Sequence, residues 1–284
     1  MSDFPVVVAG GDLRQCYLAE FLHQNNIAVK CLKTPAFFHT SSILISDSLK
    51  DTLSTCQCFV GPMPLTRDGQ HLMMTDISLA QIIHMLPEHT VFIGGYIPET
   101  YKQMALEKSM TVFDYGDCEN LTLENAALTA EGILQMVLHQ TPFALADSRV
   151  LITGAGRCGK AAAKIFKPLC LQTTLWNKSP KIISNYGEYD LIFGKAQLKK
   201  AITTHNIIIN TVPARIFTRE MFDLFSEDCY LFDLASAPGC IDGQTAASLP
   251  FFNCVCQGLP GKTAPKSAAQ ALGRSLMEHV FCNM

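Results

Sequence analysis

The chain has 284 residues, 48% of them hydrophobic and 17% charged, with a formal net charge of −3. That is material for two cores rather than one, and the lack of any Lys/Arg cluster argues against a nucleic-acid or anionic-membrane surface. No apolar run approaches the roughly 20 residues that span a bilayer, and Met1-Ser2-Asp3-Phe4-Pro5 has neither a basic start nor a small-residue cleavage site, so a soluble, cytoplasmic protein is expected.

Two series of alternating strands and helices are expected, the pattern of parallel sheets covered by helices. The first opens with an apolar strand over 4–9, stopped by Gly10-Gly11, and a helix over 12–23 with Leu13, Tyr17, Leu18, Phe21 and Leu22 at helical spacing. Strands follow at 27–32, 58–61, 91–94 and 111–113, with helices at 79–86 and about 99–108. A breaker-poor helix then runs over 121–140, with Leu123, Ala127, Ala130, Leu134 and Val137 or Leu138 on one stripe, and Pro142 stops it. At 1.5 Å per residue it is about 30 Å long, enough to link two domains.

The second series has strands at 149–153, 173–176, 206–210, 230–234 and 253–256, with helices at 157–167, 197–202 and 218–225, Thr218 being a good N-cap. Pro265 suits the first turn of a last helix running to about 279. The expected division is an N-terminal α/β substrate or partner domain (1–120), a linking helix (121–142), a nucleotide-binding domain (143–260) and a C-terminal helix (261–284) free to pack back on the first domain.

Residues 154–159 read Gly154-Ala155-Gly156-Arg157-Cys158-Gly159 between the strand Val150-Leu151-Ile152-Thr153 and a helix. A bare G-x-G-x-x-G is a weak signal, but this context is the demanding one. Gly154 permits the tight turn, Gly156 lets the backbone approach a pyrophosphate, and Gly159 lets helix and strand pack closely. The helix N-terminus faces the phosphates. The next strand ends Asn177-Lys178-Ser179, with none of the acid that binds the ribose hydroxyls of NAD. These side chains can donate to a 2′-phosphate, and Arg157 adds charge, so NADP is expected over NAD. Thr211-Val212-Pro213 and Ala235-Ser236 follow further strands, at the edge where ligands bind in parallel sheets.

Other groups leave alternatives open. Arg14 can grip a carboxylate bidentately, or the loop is plain, with Asp12 as helix N-cap and Arg14 in a surface ion pair; Gly61-Pro62-Met63-Pro64 with Arg67 lines a cleft or is simply a turn. Glu131 is a functional acid or a solvated helix charge, and Asp233 a general base or a hydrogen-bonded strand-end carboxylate. Cys56-Gln57-Cys58 and Cys254-Val255-Cys256 lack C-x-x-C spacing, and on a strand each pair would point to one face. Reduced, packed thiols are expected of the twelve cysteines, and no metal site. Neither G-x-S-x-G nor a P-loop occurs, against hydrolase or triphosphatase chemistry.

Five segments, in order, carry a family resemblance: Gly10-Gly11-Asp12-Leu13-Arg14-Gln15, Asn125-Ala126-Ala127-Leu128-Thr129-Ala130-Glu131-Gly132, residues 154–159, Asp233-Leu234-Ala235-Ser236-Ala237-Pro238-Gly239, and Gly258-Leu259-Pro260-Gly261-Lys262-Thr263-Ala264-Pro265. With them the chain resembles the A subunit of dipicolinate synthase over essentially its whole length, departing at Ala127-Leu128, where a proline before Thr129 would be expected. The resemblance implies a Rossmann NAD(P)-binding domain with a smaller, flavodoxin-like α/β domain that the C-terminal helix can complete. It also implies partnership with a flavoprotein-like B subunit, and oxidation of a dihydrodipicolinate, or its hydroxy-tetrahydro precursor, during sporulation. A dicarboxylate substrate makes Arg14, Arg67 and Lys262 candidate cations, Lys262 otherwise serving a cofactor phosphate or a structural pair at the helix start; Glu131 and Asp233 are the candidate bases, and with Lys262 the candidate catalytic groups. Two other readings stay open: a non-catalytic dinucleotide-binding subunit, and another two-domain amino- or hydroxy-acid dehydrogenase. Self-association is likewise open.

Overall fold

The computed structural model describes residues 6–35, 43–180, 189–241 and 243–283. In chain order it contains β1 (Val6–Ala9), α1 (Leu13–Gln24), β2 (Val29–Leu32), β3 (Leu44–Ser46), α2 (Leu49–Leu53), β4 (Cys58–Val60), α3 (Leu79–Met85), β5 (Val91–Gly94), α4 (Glu99–Glu107), β6 (Thr111–Asp114) and α5 (Glu119–Gln140). There follow β7 (Arg149–Thr153), α6 (Arg157–Phe166), β8 (Gln172–Asn177), β9 (Asp190–Phe193), α7 (Gly194–Ile202), β10 (Ile207–Asn210), α8 (Arg219–Phe222), β11 (Tyr230–Asp233), α9 (Gly243–Ser248), β12 (Phe252–Val255), α10 (Leu259–Thr263) and α11 (Pro265–His279). The chain divides into two compact units, Met1–Asn125 with Ala264–Met284, and Ala126–Thr263. Phe4 and Pro5, expected to open the first strand, lie outside the described residues.

The first unit holds a six-stranded sheet in the order β3-β2-β1-β4-β5-β6, with every neighbouring pair parallel. β1 and β4 are buried along their full lengths, as strands covered on both faces must be, which is why they read as unbroken apolar runs. Strands β2-β1-β4-β5-β6 keep the flavodoxin order, and β3 at the edge extends it to the Rossmann order. At three residues β3 is too short to declare itself by periodicity, as are the five residues of α2. With α11 included, this unit is not the smaller of the two.

Helix α11 packs on α1, and Gly273 is the point of closest approach, where a Cβ would stand 2.2 Å from the Phe21 ring. Ala268, Leu272 and Leu276 continue that buried stripe.

In the second unit the order is β12-β11-β10-β7-β8-β9, again all parallel. The order reverses between β7 and β10, and the crevice of such a sheet opens outside the carboxyl ends at that point. β9, α9 and α10 were not anticipated, and α8 stops at Phe222 instead of running to 225. Thr218 does stand at its N-cap, although its hydroxyl makes no capping bond.

Helix α5 starts two residues earlier than its pattern suggested, and its buried stripe is rotated. Ala126, Ala130, Ile133 and Val137 are buried, while Leu123 and Leu138 are 48% and 58% exposed. Both faces of this helix are apolar, so periodicity alone could not choose between them. Gly132 lies on the buried side, where a Cβ would meet Leu259 of α10 at 2.7 Å.

None of the twelve cysteines is disulfide-bonded. Cys254 and Cys256 do share a side, with their sulfurs 3.7 Å apart. Cys56 and Cys58 do not: Cys56 precedes β4 in a turn closed by its N–H on Leu53 O, and the two thiols enter different core clusters. Among the described residues, no helix is long and apolar enough to cross a membrane.

Candidate functional site

The loop from β7 into α6 shows a separate steric demand at each glycine. Gly154 has φ +99°, and a Cβ there would stand 2.4 Å from Thr211 Oγ1. A Cβ on Gly159 would lie 1.8 Å from Gly154 O, so α6 crosses the loop backbone at a distance that no side chain permits. Gly156 differs: within 4 Å of its Cβ position there is no protein atom. The backbone is therefore bare on that side, and the N-terminus of α6 carries no side-chain cap. Those features fit a pyrophosphate laid against the loop, its charge meeting the helix N–H groups. Ala155 is buried beneath the loop. Burial raises the Cys158 thiol, with Arg157's charge opposing it, so Cys158 is neutral packing rather than a nucleophile.

A buried hydrogen-bond chain ties the neighbouring strand ends to this loop. Thr153 Oγ1 donates to Asn210 Oδ1 (2.7 Å), and Asn210 Nδ2 donates to Asp233 Oδ1 (2.7 Å) and Val212 O (3.0 Å). Asp233 also accepts from Ala235 N (3.0 Å) and, on Oδ2, from Cys240 N (2.7 Å). Thr211 Oγ1 donates to Thr153 O (2.8 Å), seating the turn Thr211-Val212-Pro213 beside Gly154. The expected Thr211 and Val212 thus lie against the glycine loop and Ala235 is tied to Asp233, while Pro213 and Ser236 are exposed at the same edge. Asn210 and Thr153 were missed. Their only sequence signal is a polar residue closing an apolar strand.

The next strand end, on β8, brings Trp176 O onto Gly154 N (2.8 Å). Asn177 Nδ2 donates to Ser179 O (3.0 Å), and Lys178 is exposed. The turn therefore presents an ammonium and no carboxylate through residue 180; residues 181–188 lie outside the described set.

Of Asp233, Glu131 and Lys262, only Asp233 stands at this edge. It is 3% exposed and accepts from three donors, the environment of a buried anchor rather than of a general base open to substrate. Glu131 is exposed on α5, a solvated helix charge. Lys262 is exposed on α10, close enough for its charge to act on the Cys256 thiol. An open groove of about 840 Å³ lies instead beside α8 and α9, floored by Phe217, Phe222 and Phe225, and it includes no glycine-loop residue.

In the first unit, Arg14 is 4% exposed and bidentate to Asp12, with Nε to Oδ1 at 2.8 Å and Nη2 to Oδ2 at 2.9 Å. Asp12 is the N-cap of α1, as one reading had it, and the ion pair of Arg14 is with this part-buried carboxylate, which occupies the fork through which Arg14 was expected to grip a substrate. Arg67 is exposed, and its charge reaches Asp12. Gln15, 1% exposed, donates to Ala9 O and Val60 O, stitching β1 to β4 where the strand order reverses.

Burial alone would raise the Asp12 carboxyl, but the hydrogen bonds and charge of Arg14 outweigh it and hold it below the usual carboxylate range. Asp114 is likewise held low, burial being outweighed by Lys102 and the N–H groups of Gly116, Ile97 and Tyr96. A carboxyl lower in the folded than in the unfolded state contributes stability above the ordinary carboxylate pKa of about 4, and loses it as pH falls through the folded value. The first unit is therefore expected to lose stability progressively below about pH 5. Asp12→Asn and Asp114→Asn should lower stability at pH 7 and flatten that acid slope in urea melts at several pH values. An unaltered slope in both variants would rule this account out.

The fold and site define a two-domain α/β protein whose second domain is built to hold a dinucleotide. Residues 123–232 match the model for the D-isomer specific 2-hydroxyacid dehydrogenase NAD binding domain, so an NAD(P)-binding domain of the dehydrogenase type is present. Residues 5–116 match the model for the N-terminal domain of the dipicolinate synthase A subunit. The dipicolinate synthase A subunit of Bacillus subtilis (strain 168) is 22% identical over 97% of this chain and 95% of its own. The crystal structure of the dipicolinate synthase A subunit from Bacillus halodurans superposes with a TM-score of 0.83 at 21% identity, covering 96% of each chain. That of the Bacillus subtilis protein gives 0.81 at 20% identity, covering 100% of this chain and 99% of that one. Along its length, then, the chain resembles the A subunit of dipicolinate synthase, as its five segments indicated.

Proposed function

We propose that the protein acts as the A subunit of a dipicolinate synthase, oxidising dihydrodipicolinate or its hydroxy-tetrahydro precursor to dipicolinate with NADP. One observation carries the reading: a glycine loop open at Gly156 and closed at Gly159, in a chain that resembles this subunit over 97% of its length. Bound NADP would supply the hydride acceptor. Oxidation of the dihydro ring removes one hydride and one proton, and completing the aromatic pyridine drives it forward. Arg67, exposed and close to Asp12, is the better placed of the expected carboxylate-binding arginines, because the fork of Arg14 is held by Asp12. Asn177, Lys178 and Ser179 would take the 2′-phosphate. A flavoprotein-like B subunit, action in the cytoplasm and a role in sporulation belong to the same reading.

The test is a coupled assay with freshly generated dihydrodipicolinate, following dipicolinate absorbance with NADP, with NAD and without either, and with or without a B subunit. NADP-dependent formation is expected, with weaker use of NAD. If NADP binds and leaves the rate unchanged, hydride acceptance is wrong. The burial of Asp233 under three hydrogen-bond donors favours one second reading, a dinucleotide-binding subunit that performs no chemistry. In that case Gly156→Val leaves turnover of the reconstituted pair unchanged.

A further inference from the structure

Six non-glycine residues among those described adopt the left-handed backbone region, which bulky side chains avoid. Asn26 and Ser109 stand just past the C-terminal caps of α1 and α4, where that conformation is usual. His89 lies in the turn before β5, and Lys33 pairs with Asp47 at 3.0 Å. The other two are Met74 (φ +64°) and Tyr96 (φ +54°), and both carry large apolar side chains into solvent, 68% and 53% exposed.

Both belong to one loop cluster, at the carboxyl edge of the first sheet. Gly11 N donates to Met73 O (2.8 Å), which puts Met74 one residue from the Gly11 loop on one flank. On the other flank a Cβ at Gly11 would meet Pro62 at 3.0 Å, and one at Gly95 would meet Met63 at 2.4 Å, so Tyr96 adjoins the same cluster. Asp12 and Arg14 lie in that loop, and Arg67's charge reaches it. The strained conformation of Tyr96 is actively held: Asp114 accepts its N–H at 2.7 Å, that of Ile97 at 2.9 Å and that of Gly116 at 2.8 Å, while Lys102 pairs with the same carboxylate at 2.9 Å. Gly116 leaves room for the ring, since a Cβ there would be 2.8 Å from Tyr96 Cδ1.

We infer that Tyr96 and Met74 hold the ring of a planar six-membered heterocyclic dicarboxylate with a carboxylate toward the exposed Arg67; the inference rests on the substrate class proposed above. Aromatic and thioether groups suit the ring faces, the Arg67 guanidinium suits a carboxylate, and backbone strain held in place by its surroundings is common at ligand sites. Both residues position the ring and take no part in proton transfer.

Glycine relieves the left-handed strain, so it separates binding from structure. In the full chain, Tyr96→Gly and Met74→Gly are expected to match or exceed the parent melting temperature and to leave NADPH titrations unchanged. Calorimetric affinity for pyridine-2,6-dicarboxylate, the probe, should fall at least tenfold for Tyr96→Gly and severalfold for Met74→Gly. Tyr96→Phe should recover most of the first loss. Parent-like affinity in both glycine variants, or a fall in melting temperature, overturns the inference alone. A parent chain that binds NADPH but not the dicarboxylate overturns it together with the substrate reading.

Discussion

Alanine at Gly159 is expected to abolish dinucleotide binding and to destabilise the second unit by about 3 kcal/mol or more, at or beyond the upper end of overpacking costs. The obstacle is backbone: the added methyl would lie 1.8 Å from Gly154 O, and no rotamer change moves a carbonyl oxygen that is part of the turn. Either α6 shifts away from β7 or the turn deforms, and both disturb Ala162, Ala163 and Phe166, the face of α6 that is buried in the core. Gly156→Ala and Gly156→Val are the matched contrast. Their added atoms enter space without protein neighbours, and Gly156 has φ −77°, which any residue adopts. Stability should change by less than about 1 kcal/mol, while NADPH affinity falls more than 100-fold for valine. Equilibrium unfolding and cofactor titration of the variants read both effects. Equal loss of stability at the two positions would mean that Gly156 is a structural glycine, and the cofactor assignment would lose its main support.

The second large effect is expected at Asp233. Its removal leaves Asn210 Nδ2, Ala235 N and Cys240 N facing an empty acceptor site in a buried environment, and stranding donors that served a buried charge costs about 3–5 kcal/mol. Asp233→Asn should be costly too, since its amide must turn N–H groups toward donors already there. Gly239 presses on the same carboxylate, a Cβ at φ +69° standing 2.7 Å from Oδ2, so the loop after β11 has no slack. Unfolding of both variants, with turnover measured on the folded fraction, decides between roles. A fully stable Asp233→Asn that has lost turnover would restore this residue as the general base.

The parts legible in sequence were those set by local chemistry. Residues 154–159 announced their turn because Gly154 and Gly159 meet protein atoms at distances that only glycine permits, while Gly156 leaves its side of the loop bare. β5 and α11 were read to the residue, the one a short buried apolar run and the other a long stripe opened by Pro265. Short elements were not legible: β3, α2 and β9 hold three to five residues each, too few for a period to show. The face of α5 was misread because Leu123 and Leu138 are as apolar as the buried Ile133 and Val137, and only α10 and the second core decide which side is covered.

Site roles divide in the same way. From sequence alone, Gly154, Gly156 and Gly159 pointed to the NAD(P)-binding domain that the family model also finds, and to the loop expected to serve it. Only the tertiary structure decided the roles of the polar groups, because a side chain's chemistry depends on partners that sequence order does not place. Asp233 meets Asn210, 23 residues away, and Asn210 meets Thr153, 57 residues away; those bonds turn a candidate base into an anchor. Arg14 and Asp12 are two residues apart, yet only the folded loop, with Arg14 buried, fixes the guanidinium on that carboxylate and leaves Arg67 as the exposed cation.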